Sequence, residues 1–484
     1  MCGIVCIIGR ESQVLIESAL KKLKHRGNDS STIITSENCS IGFNRLAIND
    51  KSEKGKQPHE YKNLIGVFNG EIYNAEKLKK EFDISTVSNS DTEVILPLFE
   101  KFGTSIIHYL DGFYSGIIFN KDTNQLFVLR DYLGKKPFFY GTRKDFEFIV
   151  SELKSITSID SFQVVPKGFS EISSGKIRIL ESHKIQKASK KDLKRFIIEA
   201  VEKRIPKEEK QFGVFLSGGI DSSIIAKVVS NLADNVIYYT LGNAQTNDLK
   251  FVTTLVKQLG IESKLRIIEL PDSMDLPDLI NKVVYHTESY NPSIISNGLA
   301  TFLLSRAAYK DGLKVVLSGD GADELFCGYP LSRNALDWFK KRKELIENMH
   351  FTELRRLDLA SMANTIEIRC PFLDRMVYAA SLDCNLKDLI IESDEELKGK
   401  KILREIFKND LPNEILERNK MSFDVGSGIR KLVVESLADF KKTERMLLKT
   451  ILEKYFQSNI LNEYYFHTYP IFDNSIEKRG INHK

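Results

Sequence analysis

Two stretches combine residue types and spacing that point to chemistry: M-C-G-I-V-C-I-I-G at the start of the sequence, and S-G-G-I-D-S-S at Ser217–Ser223. Removal of Met1 would leave Cys2 with a thiol and a free α-amine on one carbon, a nucleophile carrying its own base. An α-amine titrates near ~7.7–8, so part of it is neutral at pH 7 and can take the thiol proton. The competing reading is a buried first strand with Cys2 at its edge. In the second stretch the glycines let the backbone turn tightly, while Ser217, Ser222, Ser223 and the first N–H groups of a following helix present donors to an anion. That is a cradle for pyrophosphate. It differs from the G-x-x-x-x-G-K loop, because no Gly-Lys pair in the chain has a glycine at the required distance. S-G-D-G-A-D-E at Ser318–Glu324 repeats the design with three carboxylates. Acidic groups beside a polyphosphate need a cation between them, which makes Asp221 and Asp323 candidate Mg²⁺ ligands.

These residues need elements to hold them. Residues 1–185 read as short strands, among them I-V-C-I-I, S-I-G-F-N-R-L-A-I and L-I-G-V-F-N-G-E-I-Y, with a run from Tyr114 to Ser151 patterned as one antiparallel meander. Helical spacing interrupts them at Gln13–Leu23 and Thr92–Phe102. The expected fold of this part is an α+β sandwich. S-D-T-E at Ser90–Glu93 has the pattern of a capping box. From residue 186 onward the texture changes. F-G-V-F-L, V-I-Y-Y-T-L-G, L-R-I-I-E-L and K-V-V-L-S-G read as buried strands, alternating with helical spacing at Ile224–Leu232, Asp248–Leu259 and Leu299–Tyr309. Such alternation predicts a doubly wound parallel α/β sheet with ligands at the carboxyl ends of its strands. Helical spacing at Leu432–Phe440 and Met446–Tyr455 predicts a packed C-terminal helical pair within the second domain, residues 186–484.

Composition excludes several classes. The chain has 484 residues and a net charge of only +4, dispersed along its length, so no nucleic-acid footprint is expected. Its six cysteines show neither C-x-x-C spacing nor a paired framework, which argues against zinc sites and disulfides and for a reducing compartment. No charged start followed by an apolar run and no stretch of about 18 apolar residues appears, so the expectation is a soluble cytoplasmic protein without membrane partners.

Cys2, followed in order by R-G-N-D-S (Arg26–Ser30), N-R-L (Asn44–Leu46), N-G-E (Asn69–Glu71) and S-D-T-E, resembles the N-terminal-nucleophile glutaminase domain of class II glutamine amidotransferases. The resemblance implies that Cys2 attacks the glutamine amide and that Asn69 and Gly70 form an oxyanion hole. Arg45, Asp91, Asn69 and Glu71 would hold the substrate, with Arg45 on its α-carboxylate and Asp91 on its α-amine. That family commonly has Pro where Asn28 stands and a basic residue where Asn44 stands.

The two loops, with A-N-T-I-E-I-R-C-P-F-L-D (Ala363–Asp374), K-I-L-R-E (Lys401–Glu405) and K-M-S-F-D (Lys420–Asp424), resemble the synthetase domain of the glutamine-hydrolysing asparagine synthetase family. This implies ATP as a substrate with Mg²⁺, adenylation of a carboxylate, and displacement of AMP by ammonia passed on from the first half-site. Leu216, Ser217, Gly218, Gly219, Asp221, Ser222, Ser223, Leu241, Ser318 and Gly319 would form the nucleotide site. Lys420 would neutralise phosphate charge, Glu367 would orient the machinery, and Asp320 would lie near the acceptor. The family typically has Glu at Asp320 and an Arg-containing segment in place of I-I-S-N-G (Ile294–Gly298). The resemblance makes aspartate the expected acceptor, the two departures are the ground for another amino acid or a sugar acid as the alternative, and a non-catalytic paralogue is a third reading. A homodimer is admitted, but nothing in the sequence determines the oligomeric state.

Overall fold

Alternation of β-branched and aromatic residues builds the strands of Met1–Lys184, which with Met362–Thr365 belongs to the first of two units into which the chain divides; the second includes Ile185–Ser361 and Ile366–Lys454. The computed structural model describes residues 1–9, 12–36, 39–330, 332–393, 396–438 and 442–457. In chain order the strands of the first unit are β1 (Gly3–Ile8), β2 (Ser30–Thr35), β3 (Cys39–Arg45), β4 (His59–Tyr61), β5 (Leu64–Ile72), β6 (Gly112–Asn120), β7 (Leu126–Arg130), β8 (Phe139–Arg143), β9 (Phe146–Val150), β10 (Ser161–Val164), β11 (Gly168–Ser173) and β12 (Lys176–Glu181). They form two six-stranded antiparallel sheets, ordered β10-β8-β9-β1-β3-β2 and β12-β11-β7-β6-β5-β4.

Both sheets contribute to one apolar cluster: Cys2, Ile4 and Cys6 with Ile41 and Phe43 from one, Ile65, Val67, Ile117 and Val128 from the other. The opposite face of β5, β6 and β7 packs through Phe68, Ile118 and Leu129 against helices α2 (Ala75–Phe82) and α3 (Ile95–Phe102). Helix α1 (Ser12–Lys22) lies against β3, with Ile16 and Leu20 seated on Gly42. The strict alternation in β5 therefore sends Asn69 to the side of Ile65 and Val67, the side that also holds Cys2.

The expected single meander from Tyr114 to Ser151 is corrected. β6 and β7 pair in one sheet and β8 and β9 in the other, so the chain changes sheet between Arg130 and Phe139. Arg130 stabilises that crossing, donating from Nε to Lys136 O, from Nη1 to Val165 O and from Nη2 to Gly134 O at 2.8–3.0 Å. S-I-G-F-N-R-L-A-I is strand only as far as Arg45. The Ser90 capping box does not form. Ser90 Oγ turns to His59 and Thr92, while the Glu93 carboxylate accepts from Val87 N and Ser88 N and closes the preceding loop. Thr92–Phe102 accordingly begins as a short 3₁₀ turn, Asp91–Val94, before α3.

The second unit carries a five-stranded parallel sheet: β13 (Phe212–Phe215), β14 (Val236–Leu241), β15 (Leu265–Ile268), β16 (Val315–Leu317) and β17 (Glu367–Arg369), ordered β15-β14-β13-β16-β17. Helices α4 (Leu193–Glu202), α5 (Ile220–Leu232), α6 (Asn247–Leu259), α7 (Leu276–Thr287) and α8 (Pro292–Lys310) precede or connect its strands. The order reverses between β13 and β16, the switch point at which loops part and leave room for a ligand. L-R-I-I-E-L, expected to be buried, is the edge strand β15, with Ile267 47% exposed. The helix expected from Leu299 begins at Pro292, because Asn291 caps it by accepting from Ser293 N and Ile294 N. I-I-S-N-G is thus its second turn. Helices Ile429–Ser436 and Glu444–Leu452 overlap the two C-terminal stretches but start earlier and end earlier than the spacing predicts; Phe440 and the chain after 457 lie outside the described residues.

Leu98 is fully buried between α3 and the sheet. Leu98→Ala leaves a cavity there and is expected to lower stability by about 2–5 kcal/mol in a guanidinium titration, with the slope of the transition unchanged.

Candidate active site

At the head of β1, Cys2 is 8% exposed, and its Sγ lies 4.0 Å from Leu46 O. Its backbone is gripped on both sides: Cys2 N donates to Asn69 Oδ1 at 2.8 Å, and Arg26 Nε donates to Cys2 O at 3.0 Å. Asn69 is fully buried, and its Nδ2 has no hydrogen-bond partner. A buried amide donor left over beside a thiol is available to an oxygen that the protein does not itself supply. Gln57 keeps Asn69 in place by bonding both backbone groups of the preceding residue, Phe68 N to Oε1 at 2.6 Å and Nε2 to Phe68 O at 3.0 Å. Gly70 cannot be replaced without moving a strand: at φ +150° an added Cβ would stand 1.9 Å from Phe113 O.

Arg45 ends β3 with its guanidinium donating to Ser52 O at 2.9 Å and to Asp50 O. The Asp50 carboxylate accepts from Ser52 N and Asn89 N, tying this loop to the residues just before Asp91. Burial disfavours its charge, but bonds from Ser52 and Asn89 and the Arg45 charge hold it below the usual carboxylate range. Asn49 Nδ2 joins Glu71 Oε2 at 2.6 Å to Asp91 Oδ1 at 3.0 Å. Asn69, Cys2 and Arg26 are thus linked directly, and Arg45, Asp50, Asn49, Glu71 and Asp91 form a second linked group. Arg26, Asn49, Asp50 and Gln57 were not singled out as site residues from the sequence; Arg26 lay within a quoted motif, but single residues in loops carry no periodicity to find them by.

Of the two departures near this site, Asn44 has a structural explanation and nothing in the structure explains Asn28. Asn44 is buried against α1, donating to Leu20 O and accepting from Ser31 Oγ, where a charged side chain would lack water. Asn28 is exposed, beside Asp29, whose Oδ2 accepts from Ala47 N.

In the second unit the turn after β13 is closed by its own serines. Ser222 Oγ donates to Gly219 O at 3.1 Å, lies 3.2 Å from Ser217 Oγ and accepts from Ser217 N. Gly218, at φ +66°, has Phe251 and Arg418 within 3.1 Å of the position of a Cβ. Ser223 is wholly buried in α5, and its Oγ has no hydrogen-bond partner. Leu216 and Leu241 are buried at the ends of β13 and β14, and Leu216 N donates to Tyr239 O. The loop after β16 reaches this turn: a Cβ on Gly319 would stand 2.8 Å from Ser222 N, and Ser318 Oγ lies 3.6 Å from Cys370 Sγ.

The acidic loop divides three ways. Lys400 Nζ bridges Asp221 Oδ2 at 2.5 Å and Asp323 Oδ1 at 2.6 Å, and Lys420 Nζ meets Asp323 Oδ2 at 2.6 Å. Burial disfavours the Asp323 charge, but Lys400 and Lys420 bring it down to about 2; burial dominates at Asp221, which is raised despite Lys400. Asp320 turns to Arg356 Nη2 at 2.9 Å. Arg356 Nη1 donates to Thr301 Oγ1 on α8, and its Cγ is 3.8 Å from where a Gly298 Cβ would be, so Asp320 and the I-I-S-N-G turn meet at one buried arginine. Glu367 holds Arg369 Nε at 2.7 Å.

A cleft of about 280 Å³ opens beside these groups, lined by Ser217, Gly219, Asp221, Lys400, Lys420 and Arg418 among others. Arg418 donates to Ser217 O at 2.9 Å, pairs with Asp248 and lies 4.2 Å from the Phe251 ring. Lys400, Arg418 and Asp248 were not identified from the sequence. Lys400 sits one residue before the quoted K-I-L-R-E and Arg418 two before Lys420, so proximity to a motif was the available signal.

Glu324 is buried with Tyr329 OH donating to its Oε1. Burial, then the Asp323 and Glu353 charges, push its pKa up from the ordinary 4.5 to about 8. The folded chain therefore keeps a proton across that window that the unfolded chain gives up, and stability falls as pH rises through it. Glu324→Gln, which keeps the acceptor and carries no charge, is expected to melt above the wild type at pH 8 and together with it near pH 5, read by calorimetry.

Comparison with known proteins covers both units. The family described as glutamine amidotransferase domain matches residues 1–190, and asparagine synthase matches residues 192–350 and 343–465. A probable glutamine-hydrolysing asparagine synthetase of Acanthamoeba polyphaga mimivirus is 30% identical over 474 residues, covering 87% of this chain and 85% of the relative. The glutamine-hydrolysing asparagine synthetase of Sandersonia aurantiaca is 31% identical over 466 residues, covering 88% and 87%. A putative one of Methanocaldococcus jannaschii is 29% identical over 526 residues, covering 90% and 95%.

Proposed function

Because the chain belongs to the glutamine-hydrolysing asparagine synthetase family, we propose the following route by which its residues carry out glutamine-dependent, ATP-consuming asparagine synthesis. The first unit, residues 1–185, is an N-terminal-nucleophile sandwich in which Cys2, freed of Met1, gives its thiol proton to its own α-amine and attacks the side-chain amide carbon of glutamine. The observation that carries this reading is the buried Asn69 amide, whose Oδ1 holds Cys2 N while its Nδ2 stays unpartnered. That Nδ2, with Gly70 N–H, stabilises the oxyanion, a contribution of roughly 3 kcal/mol for one such donor. Ammonia leaves, and water releases glutamate from the thioester. Arg45 takes the α-carboxylate of glutamine and Asp91, beside Glu71, its α-amine.

The second unit, residues 186–484, binds ATP. Ser217, Gly218, Gly219, Ser222 and the opening N–H groups of α5 receive the pyrophosphate end, while Leu216, Leu241, Ser318 and Gly319 flank the nucleoside. Ser223, whose buried Oγ has no protein partner, completes the donor set. The donor set fits Mg²⁺: carboxylates from two loops converge, and Asp221 Oδ1 is buried without a partner, leaving the remaining positions to phosphate oxygens. Asp221 and Asp323 would hold the ion, which when bound neutralises phosphate charge. The aspartate side-chain carboxylate attacks the α-phosphorus, pyrophosphate departs, and ammonia displaces AMP from the acyl-adenylate. Lys420, whose pKa is raised because Asp323 and Asp221 outweigh its burial, stays charged and faces the leaving phosphates. Asp320 is aimed at the acceptor by Arg356, and Glu367 acts through Arg369.

Cys2→Ala is expected to stop asparagine formation from glutamine and to spare formation from ammonium, with both donors followed by amino-acid analysis. Continued use of glutamine at the wild-type rate would remove Cys2 from the mechanism.

Asp221→Ala and Asp323→Ala should each abolish Mg²⁺-dependent formation of AMP and pyrophosphate while glutamine hydrolysis continues. Release of ADP and phosphate by the wild type would exclude adenylation.

A further inference from the structure

Cys2 O is held by a side chain that is itself held. Arg26 is wholly buried, and while its Nε donates to Cys2 O at 3.0 Å, its Nη1 meets Glu152 Oε1 at 2.5 Å. The other carboxylate oxygen of Glu152 accepts from His25 Nε2 at 3.0 Å and from Lys154. Glu152 has no exposed surface. It is carried to this point by the continuation of β9 beside β1: Ser151 N donates to Ile4 O, and Ile4 N donates to Ser151 Oγ, both at 3.0 Å.

A buried guanidinium without a carboxylate is strongly disfavoured and would swing away or draw in water. We infer that Glu152 is a positioning residue for the glutaminase half-reaction, setting the place of Cys2 through Arg26 without touching substrate. This rests on Cys2 being the nucleophile. Burial opposes the Glu152 charge, but Lys154, His25 and Arg26 together hold its pKa well below the usual carboxylate range, so the anchor stays ionised at any pH at which the chain works. The two oxygens have separate duties: Oε1 fixes Arg26, and Oε2 is fixed by His25 and Lys154. A displacement of about 1 Å at a reacting atom costs on the order of 100-fold in rate, so loosening this anchor affects turnover more than affinity.

The test uses the full chain with Glu152→Gln and Glu152→Asp. For Glu152→Gln we expect glutaminase kcat to fall by about 10- to 100-fold with KM for glutamine within about twofold, and ammonium-dependent asparagine synthesis to be unchanged. Alkylation of Cys2 by a diazoketone analogue of glutamine, followed by intact mass, should slow in parallel. Glu152→Asp, which keeps the charge, should recover part of both rates, and it serves as the reporting variant if the Gln form does not fold. A rise in KM at constant kcat would make Glu152 part of the substrate site and overturn the inference. Unchanged kcat and alkylation would overturn it too, as would equal loss of glutamine- and ammonium-dependent synthesis together with a lowered melting temperature. Cys2→Ala run alongside separates the two layers: if it still consumes glutamine, the nucleophile reading fails whatever Glu152 does.

Discussion

Carboxylates taken out of water must be given cations, and both candidate sites are built around that requirement. In the second unit Asp221 and Asp323 come from different loops at the switch point of the parallel sheet, and Lys400 lies between them with Lys420 beyond. The arrangement needs space: a Cβ on Gly328 would lie 1.9 Å from Asp323 Oδ1. Lys400 itself sits at φ +62°, a conformation that side-chain-bearing residues seldom adopt, and its buried ion pairs help to hold it there. With both lysines on one carboxylate and neither close on Asp221 Oδ1, the alternating charges are ready to be shared with an anionic ligand.

The first unit solves the same problem beside the Cys2 thiol. Glu152 gathers Arg26, His25 and Lys154 on one side of the Cys2 backbone, while Asn69 holds Cys2 N on the other. A charge near the thiol without a counter-charge would shift its acidity and disturb the core shared by the two sheets. Holding both cations on Glu152 lets Cys2 sit among Ile4, Cys6 and Ile41 while its backbone is fixed by Arg26 and Asn69.

Departures from family pattern are read differently once neighbours are known. Asn44 satisfies both of its amide ends on α1 and β2, which makes it part of the packing. Asp320 is shorter than the glutamate typical of the family, and Arg356 reaches it while also binding Thr301 and Glu353. The substitution and the altered turn of α8 therefore meet at one buried arginine. Among the described residues no helix is long and apolar enough to cross a membrane.

Local pattern by itself determined a good deal. Strand, turn and helix around Ser217–Ser223 follow from an apolar run, two glycines and helical spacing, all of which are properties of neighbouring residues. Cys2, Asn69 and Asp91 could be selected because each lies in a short motif of fixed order, and Asp221 and Asp323 because each sits in an acidic turn behind a strand. Tertiary structure decided what those motifs could not carry. Whether β7 and β8 share a sheet depends on where Arg130 finds carbonyl partners, and whether Ser90 caps a helix depends on His59, 31 residues away. Lys400 stands 179 residues from Asp221 and Glu152 stands 126 from Arg26, in segments with no periodicity that marks them. Pairing of buried charges is set by geometry after folding, and a sequence read one stretch at a time contains the charges but not the distances between them.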